Sequence, residues 1–278
     1  MDTRDTAGTR EAESASDTSG TLVVMRHGES VWTAKSQNRF AGWVDVPLTD
    51  RGRVQAHHAG TLLREAGLAP EVCMTSVLGR SIETARIVLD EVARPWLSVE
   101  RTWRLNERHY GAFQGQTRPA MRERCGEELF QTYRRSYDVR PPEIAEDSEF
   151  FQGQDPRYGT AFADGLDHID PARIRSESLE DLGRRLAPWW RTRVLGELSR
   201  GRCVLVVTHG SVVRSIRMTL EHISPERIRE VNVPTGVPLA YEFSCAPGRD
   251  PEPTGPGRYL DEAAARVGIE ATNALGRE

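Results

Sequence analysis

Two motifs place a histidine directly after a run of apolar residues. Residues 22–28 read LVVMRHG and bring Arg26 and His27 to the end of such a run, and residues 204–210 read VLVVTHG and do the same for His209. In open α/β sheets, ligands bind beyond the carboxyl ends of the strands. We therefore expect the two imidazole rings to approach one edge of a sheet.

Two further segments supply a second guanidinium and a carboxylate. Segment 76–84, SVLGRSIET, follows an apolar run at 72–75 and puts Arg80 in the first turn of a predicted helix, and segment 105–108, LNER, contributes Glu107. A lone histidine after a strand is more often a hydrogen-bonded structural residue. Two arginines, two histidines, a carboxylate and a helix N-terminus around one crevice instead favour a site for a phosphoryl group.

This set of residues predicts phosphoryl transfer to a histidine. The guanidinium forks of Arg26 and Arg80 hold equatorial phosphate oxygens, and a neutral imidazole, which is nucleophilic near physiological pH, attacks in line. Glu107 protonates the departing oxygen where burial or neighbouring negative charge raises its pKa. Because arginine and histidine supply the positive charge that a divalent ion supplies elsewhere, we expect no metal.

The elements that carry these residues alternate between strands and helices. Short β-branched runs predict strands, and apolar residues at helical spacing predict the helices between them. The predicted strands are 22–25, 72–75 and 204–207, and the predicted helices are 49–68, 78–92, 179–198 and 211–220. This order predicts an α/β fold with three layers, α/β/α, around a mainly parallel central sheet.

Periodicity fades between about residues 108 and 177, where proline, glycine and aromatic residues increase, and we interpret that stretch as a helical and irregular lid. Residues 1–20 are polar and lack large apolar side chains, which predicts a disordered tail. One catalytic domain is expected over residues 21–250, followed by a partly helical C-terminal tail at 251–278.

Composition excludes several classes of partner. The formal net charge is -4, so no overall attraction to nucleic acid or to an anionic membrane is expected, and no apolar run is long enough to cross a membrane. The four cysteines stand far apart, which argues against a zinc site and against a disulfide framework. A cytoplasmic protein with reduced cysteines is the prediction.

The sequence also resembles a known family. The motifs RHGES.W, F.GW.D.PLT..G, TSVL.R, LNERHYGA.QG and VPTGVPL.YEF are similar to those of the histidine phosphatase superfamily, specifically its bisphosphoglycerate-dependent phosphoglycerate mutases. The resemblance implies that His27 becomes phosphohistidine, that Glu107 is the general acid and base, and that Arg26, Arg80 and His209 complete the phosphate pocket. It implies further contacts to substrate from Ser30, Thr33, Ala41, Gly42, Arg108, Tyr110, Arg118, Arg134, Arg135, Gly210 and Ser211.

Four positions depart from the pattern of the mutases. Thr33 and Ser211 replace asparagines, Arg118 replaces a lysine, and Gly79 stands where lysine is usual. The two hydroxyls can still bond to an oxyanion, with a shorter reach than an amide. The catalytic core itself is unchanged.

Three functions are therefore weighed. The first is a mutase that interconverts 3-phosphoglycerate and 2-phosphoglycerate, with 2,3-bisphosphoglycerate as the phosphoryl primer, in a homodimer or homotetramer as the family often forms. The second is a paralogous histidine phosphatase or phosphomutase acting on another small phosphorylated acid. The third, a catalytically inactive anion sensor, is disfavoured because His27 and Glu107 are both retained.

Overall fold

The computed structural model describes residues 18–159, 164–246 and 248–275. Its strands are β1 (Thr18–Arg26), β2 (Val72–Thr75), β3 (Val99–Arg101), β4 (Cys203–Thr208), β5 (Leu239–Cys245), β6 (Glu252–Pro253) and β7 (Arg258–Tyr259). Together they form one sheet in the order β3-β2-β4-β1-β5-β6, with β7 paired to β5. Strands β1 to β4 run parallel to one another, whereas β5 is antiparallel to β1, β6 and β7.

The helices cover both faces of the sheet. They are α1 (Asp50–Glu65), α2 (Gly79–Glu91), α3 (Arg118–Cys125), α4 (Glu127–Arg135), α5 (Leu179–Trp189), α6 (Leu195–Leu198), α7 (Gly210–Leu220) and α8 (Glu262–Ala274). Because side chains alternate along a strand, Leu22 and Val24 pack with α5, α6 and α7, while Val23 and Met25 pack with α1 and α2. This arrangement confirms the predicted three-layer α/β/α fold.

The predicted helix at 179–198 is continuous but changes its winding. The side chain of Ser178 caps the amide of Asp181, and the Asp181 carboxylate accepts in return from the Ser178 amide, so α5 begins with a capping box. Pro188 lies inside α5, and a π-helical turn at Trp190–Val194 joins α5 to α6. A proline removes one helical hydrogen bond, which accounts for a local change of winding at this point.

The stretch between residues 108 and 177 contains α3, α4 and short 3-10 turns rather than a separate layer. Its aromatic residues form two small cores together with Phe40 and Trp43 of the loop after β1, one around Phe40 and Phe130 and the other around Trp43 and Tyr158. The segment therefore packs against the loop that follows β1.

The chain termini differ from the predicted boundaries. Strand β1 begins at Thr18, inside the predicted tail, because residues 18–20 pair with β5; residues 1–17 lie outside the described part. In the predicted, partly helical C-terminal tail, β6 and β7 pair with β5, and α8 follows them. Within the described ranges, no helix has the length and apolarity that a membrane crossing requires.

Candidate active site

His27 lies at the carboxyl end of β1, as its motif predicts. Its amide donates to the carbonyl of Thr208 at 2.8 Å, and only 2% of the residue is exposed. Ring atom Nδ1 is 2.6 Å from the carbonyl oxygen of Gly28. Because a carbonyl can only accept, Nδ1 carries the proton, and the lone pair of the neutral ring lies on Nε2, which accepts from Arg80 Nε at 3.2 Å.

Burial and neighbouring charge keep this ring neutral. Desolvation, and then the positive charges of Arg80 and Arg26, hold the pKa of His27 well below its ordinary value of 6.5. A ring that is neutral at physiological pH and has its lone pair on Nε2 is a competent nucleophile.

His209 follows β4 and lies beside His27. The two ring centroids are 5.0 Å apart and the planes are inclined by 65°. Parallel pairing of β1 with β4 places Arg26 opposite Thr208, which brings the two histidines to the same sheet edge. His209 Nε2 is 2.8 Å from Ser76 Oγ, while Nδ1 is buried without a hydrogen-bond partner in the described structure.

Arg80 is fixed by the loop that follows β1. It lies in the first turn of α2, and its terminal nitrogens donate to the carbonyls of Val44 at 2.8 Å and Gly42 at 2.7 Å. Gly42 has φ of 51°, a conformation that favours glycine. Burial lowers the pKa of Arg80 to about 10, so the guanidinium stays charged at neutral pH.

Glu107 faces the same pocket from the other side. Its Oε1 accepts from the amide of Arg108 at 2.9 Å and from the amide of Ser211, in the first turn of α7, at 3.0 Å. Both bonds orient one carboxyl oxygen and leave Oε2 for a reacting group. Pocket residues therefore include the nucleophile and the acid that the sequence predicts.

The far end of the pocket is lined by arginines of the lid. Arg118 donates to Asn38 Oδ1 at 2.9 Å, and Arg134 donates to the carbonyl of Thr272 at 3.3 Å. Arg135 donates to the side-chain oxygen of Asn232. Burial lowers the pKa of Arg118 to about 9 and that of Arg134 to about 10, which leaves both groups charged near neutral pH.

These groups enclose a narrow cavity of about 70 Å³. Most of the predicted site residues line it: Arg26, His27, Thr33, Ala41, Gly42, Arg80, Glu107, Tyr110, Arg118, Arg134, Arg135, Gly210 and Ser211. Among the described residues that line the cavity, six are arginines and Glu107 is the single carboxylate. The site is thus built for a polyanion.

Three predicted residues lie behind the wall of the cavity rather than in it. His209 packs against His27, and Ser30 bonds to the hydroxyl of Thr33 at 3.0 Å. Arg108 donates to the carbonyls of Tyr133 and Arg134 at 2.9 and 3.0 Å, which anchors the end of α4.

Sequence reasoning missed five residues of the cavity wall. They are Arg214, Asn232, Val233, Thr272 and Leu275. Arg214 follows Gly210 by four residues on the same face of α7, a spacing that could have revealed it. Val233 opens the motif VPTGVPL.YEF, but its apolar side chain gives no chemical signal, and Asn232 directly precedes that motif. Thr272 and Leu275 belong to a C-terminal segment without a motif.

Thr33 and Ser211, which stand where the mutases have asparagine, make different contacts. Thr33 directs its hydroxyl at Ser30, accepting from the Ser30 amide at 2.9 Å and lying 3.1 Å from its carbonyl. The Ser211 hydroxyl lies 3.4 Å from the Tyr110 hydroxyl. Ser211 therefore lines the pocket beside Tyr110, and Thr33 stabilises the loop after β1.

Known proteins match most of the chain. The family model of the histidine phosphatase superfamily (branch 1) matches residues 22–153 and 148–243. The chain belongs to this superfamily. Two solved structures of mycobacterial origin are also similar. A hydrolase has a TM-score of 0.63 and 20% identity, over 94% of this chain and 100% of that one. A glucosyl-3-phosphoglycerate phosphatase complexed with VO3 has a TM-score of 0.61 and 20% identity, over 86% and 96%. At this identity the two structures establish the fold of a histidine phosphatase and nothing further.

Curated members of the histidine phosphatase superfamily are more similar in sequence. A protein of Thermobifida fusca named 2,3-bisphosphoglycerate-dependent phosphoglycerate mutase is 46% identical over 92% of this chain and 99% of its own length. A protein of the same name from Corynebacterium glutamicum is 44% identical over 94% of this chain and 100% of its own length. The predicted membership of the superfamily is confirmed.

Proposed function

We propose that this protein is a phosphoglycerate mutase that interconverts 3-phosphoglycerate and 2-phosphoglycerate through phosphohistidine at His27. The observation that carries the proposal is a neutral His27 with its lone pair on Nε2, inside a cavity lined by six buried or partly buried arginines. The name shared by relatives at 44–46% identity agrees with this chemistry.

The transfer uses two residues on opposite sides of the phosphorus. His27 Nε2 forms a bond to phosphorus while the bond from phosphorus to the ester oxygen breaks, and the Glu107 carboxyl gives its proton to that oxygen. Arg26 and Arg80 stabilise the equatorial oxygens. Starting from phosphorylated His27, the Glu107 carboxylate takes the proton from the free hydroxyl of 3-phosphoglycerate as that oxygen attacks phosphorus and the bond from phosphorus to Nε2 breaks. His27 then accepts the 3-phosphoryl group of the resulting bisphosphate, and Glu107 protonates the departing oxygen, which leaves 2-phosphoglycerate.

The cavity fits 2,3-bisphosphoglycerate as the primer. The Nε atoms of Arg26, Arg118 and Arg214 are buried and lack hydrogen-bond partners in the described structure, and such donors favour a ligand rich in oxygen. Arg26 and Arg80 would hold the phosphate near His27, and Arg118 and Arg134 the remote one. When bound, the primer supplies the phosphoryl group that keeps His27 phosphorylated.

The form of the cavity favours a mutase over a phosphatase. A mutase must keep water from phosphohistidine and retain an intermediate with two phosphates, so both ends need anion donors. The lid contributes Arg118, Arg134 and Arg135 at the remote end, and Thr272 and Leu275 of the C-terminal segment also line the cavity. We therefore do not favour a phosphatase or a mutase for another metabolite, and we propose cytoplasmic glycolysis and gluconeogenesis as the setting.

An assay of the purified protein with 3-phosphoglycerate tests the proposal. We expect 2-phosphoglycerate to form, with stimulation by 2,3-bisphosphoglycerate, and acid-labile phosphate to appear on the protein. His27→Ala should abolish both, whereas His58→Ala, at an exposed histidine of α1, is the matched control. Release of inorganic phosphate without 2-phosphoglycerate would overturn the proposal.

A further inference from the structure

The backbone around Glu107 is held by groups outside the cavity. The Glu107 carbonyl accepts from the indole nitrogen of Trp43 at 2.6 Å and from the guanidinium of Arg185 at 3.1 Å. Arg185 comes from α5 and is not among the residues that line the cavity. The main chain of the acid is therefore fixed independently of its carboxyl group.

Arg185 uses both terminal nitrogens of its guanidinium to bind backbone carbonyls. It is 1% exposed, and it donates to the carbonyls of Trp103, Arg104 and Asn106 as well as to that of Glu107. Its distance to the carbonyl of Asn106 is 2.9 Å. An arginine fork presents several donors in a rigid geometry, so these bonds set the course of residues 103–107.

Glu177 completes the arrangement on the other side of the acid. Its Oε1 accepts from Arg185 Nε at 2.6 Å, and its Oε2 accepts from the amide of His109 at 2.8 Å. The side chains of Arg185 and Glu177 are 1% and 4% exposed. One buried ion pair thus binds the backbone both before and after Glu107.

We propose that the Arg185–Glu177 ion pair positions Glu107 as a proton donor, an inference that rests on the acid role proposed for Glu107. A buried ion pair is weak support for stability, because well-packed apolar residues often stabilise a core equally well. Here the two side chains of the pair donate to and accept from the backbone of residues 103–109, the segment that contains Glu107. A displacement of about 1 Å in a reacting group can cost about a hundredfold in rate, which gives such a device a function.

Proton donation matters only when the departing oxygen is basic. Transfer from 2,3-bisphosphoglycerate to His27 Nε2 releases an alkoxide that needs the proton of Glu107. Transfer from acetyl phosphate releases acetate, which departs as a stable anion and needs none. A defect in the placement of Glu107 therefore slows the first transfer and spares the second, whereas general damage to the fold slows both.

The experiment measures the rate of phosphorylation of His27 from each donor, by rapid quench and acid-labile phosphate. Glu177→Gln leaves the Arg185 charge buried without its carboxylate, so the double variant Arg185→Met with Glu177→Gln, which removes both charges, is measured beside it. Glu221→Gln is the matched control, because Glu221, directly after α7, accepts two hydrogen bonds from Arg217 and one from the hydroxyl of Tyr241.

We expect both variants to lose about tenfold or more with bisphosphoglycerate and to stay within about twofold of the native rate with acetyl phosphate. Equal losses with the two donors would overturn the positioning role. Glu107→Gln is measured in the same assay. If it shows the donor selectivity and the ion-pair variants do not, this inference alone fails; if Glu107→Gln shows no selectivity, the proposed acid fails with it.

Discussion

Asn38 connects three parts of the pocket, and its replacement should change substrate binding more than catalysis. Its Oδ1 accepts from Arg118 at 2.9 Å, and its Nδ2 donates to the carbonyl of Leu275, beyond α8, at 3.2 Å. The residue is buried and has φ of 45°. Asn38→Gly removes both hydrogen bonds while retaining a residue that adopts this backbone conformation without strain.

The expected effect follows from the bond to Arg118. A hydrogen bond to a charged group contributes about 1.5–3 kcal/mol, but Arg118 also donates to the carbonyl of Arg39 at 3.2 Å and keeps part of its orientation. We therefore expect Asn38→Gly to lose about 1.4 kcal/mol of substrate-binding free energy, which corresponds to about a tenfold loss of affinity. Arg118 lies at the remote end of the cavity, so the substrate and the transition state lose the same binding free energy. The variant should therefore raise KM and leave kcat unchanged.

Steady-state rates with 3-phosphoglycerate test this. We expect KM to rise about tenfold and kcat to stay nearly constant in Asn38→Gly. Ser36→Gly, at an exposed position of the same loop, controls for the added chain entropy. In combination with Arg118→Ala the loss should be smaller than the sum of the two single losses. An unchanged KM, or fully additive losses, would refute the reasoning.

The remaining predictions concern acid, metal and packing. Burial lowers the pKa of His109 to about 4, below its value in the unfolded chain. The folded state is therefore fully stable with respect to this group above about pH 6.5, and the free energy of unfolding falls by about 3 kcal/mol as the pH falls toward 4. Urea denaturation should show that the free energy of unfolding depends less on pH in His109→Gln, and an identical dependence would contradict this. Activity should persist in EDTA because arginines supply the charge, and loss restored only by a divalent ion would count against that account. Gly28→Ala would place a Cβ 2.2 Å from the Gly52 carbonyl oxygen, so we expect a lower thermal midpoint and lower activity, and a native melting curve would exclude the clash.

Local patterns located several of the proposed site residues because these residues lie at the end or at the start of an element with a strong signal. The apolar run of β1 ends at Arg26 and His27, that of β4 ends at His209, and α2 begins one residue before Arg80. Hydrophobic periodicity and strand ends are properties of neighbouring residues, so they can be identified without the fold. Even so, the distance of 5.0 Å between the two imidazoles follows from the parallel pairing of β1 with β4.

Contacts made through backbone carbonyls could not be predicted from the sequence. Arg185 holds the segment of Glu107 through main-chain oxygens, and the C-terminal region reaches the cavity through the carbonyls of Thr272 and Leu275. Every residue has such a carbonyl, so no residue type marks the ones that are used.

The sequence by itself determined the chemistry that we propose for this protein, since the proposed nucleophile, the proposed acid and the arginines proposed to bind phosphate were singled out by residue type and by their place near the ends of elements. Tertiary structure decided the tautomer of His27, the hydrogen bonds that hold the main chain of Glu107, and the contribution of residues from the C-terminal region to the cavity wall. The reason is physical: side-chain chemistry is a property of each residue, whereas orientation and exclusion of water arise only when distant segments pack together.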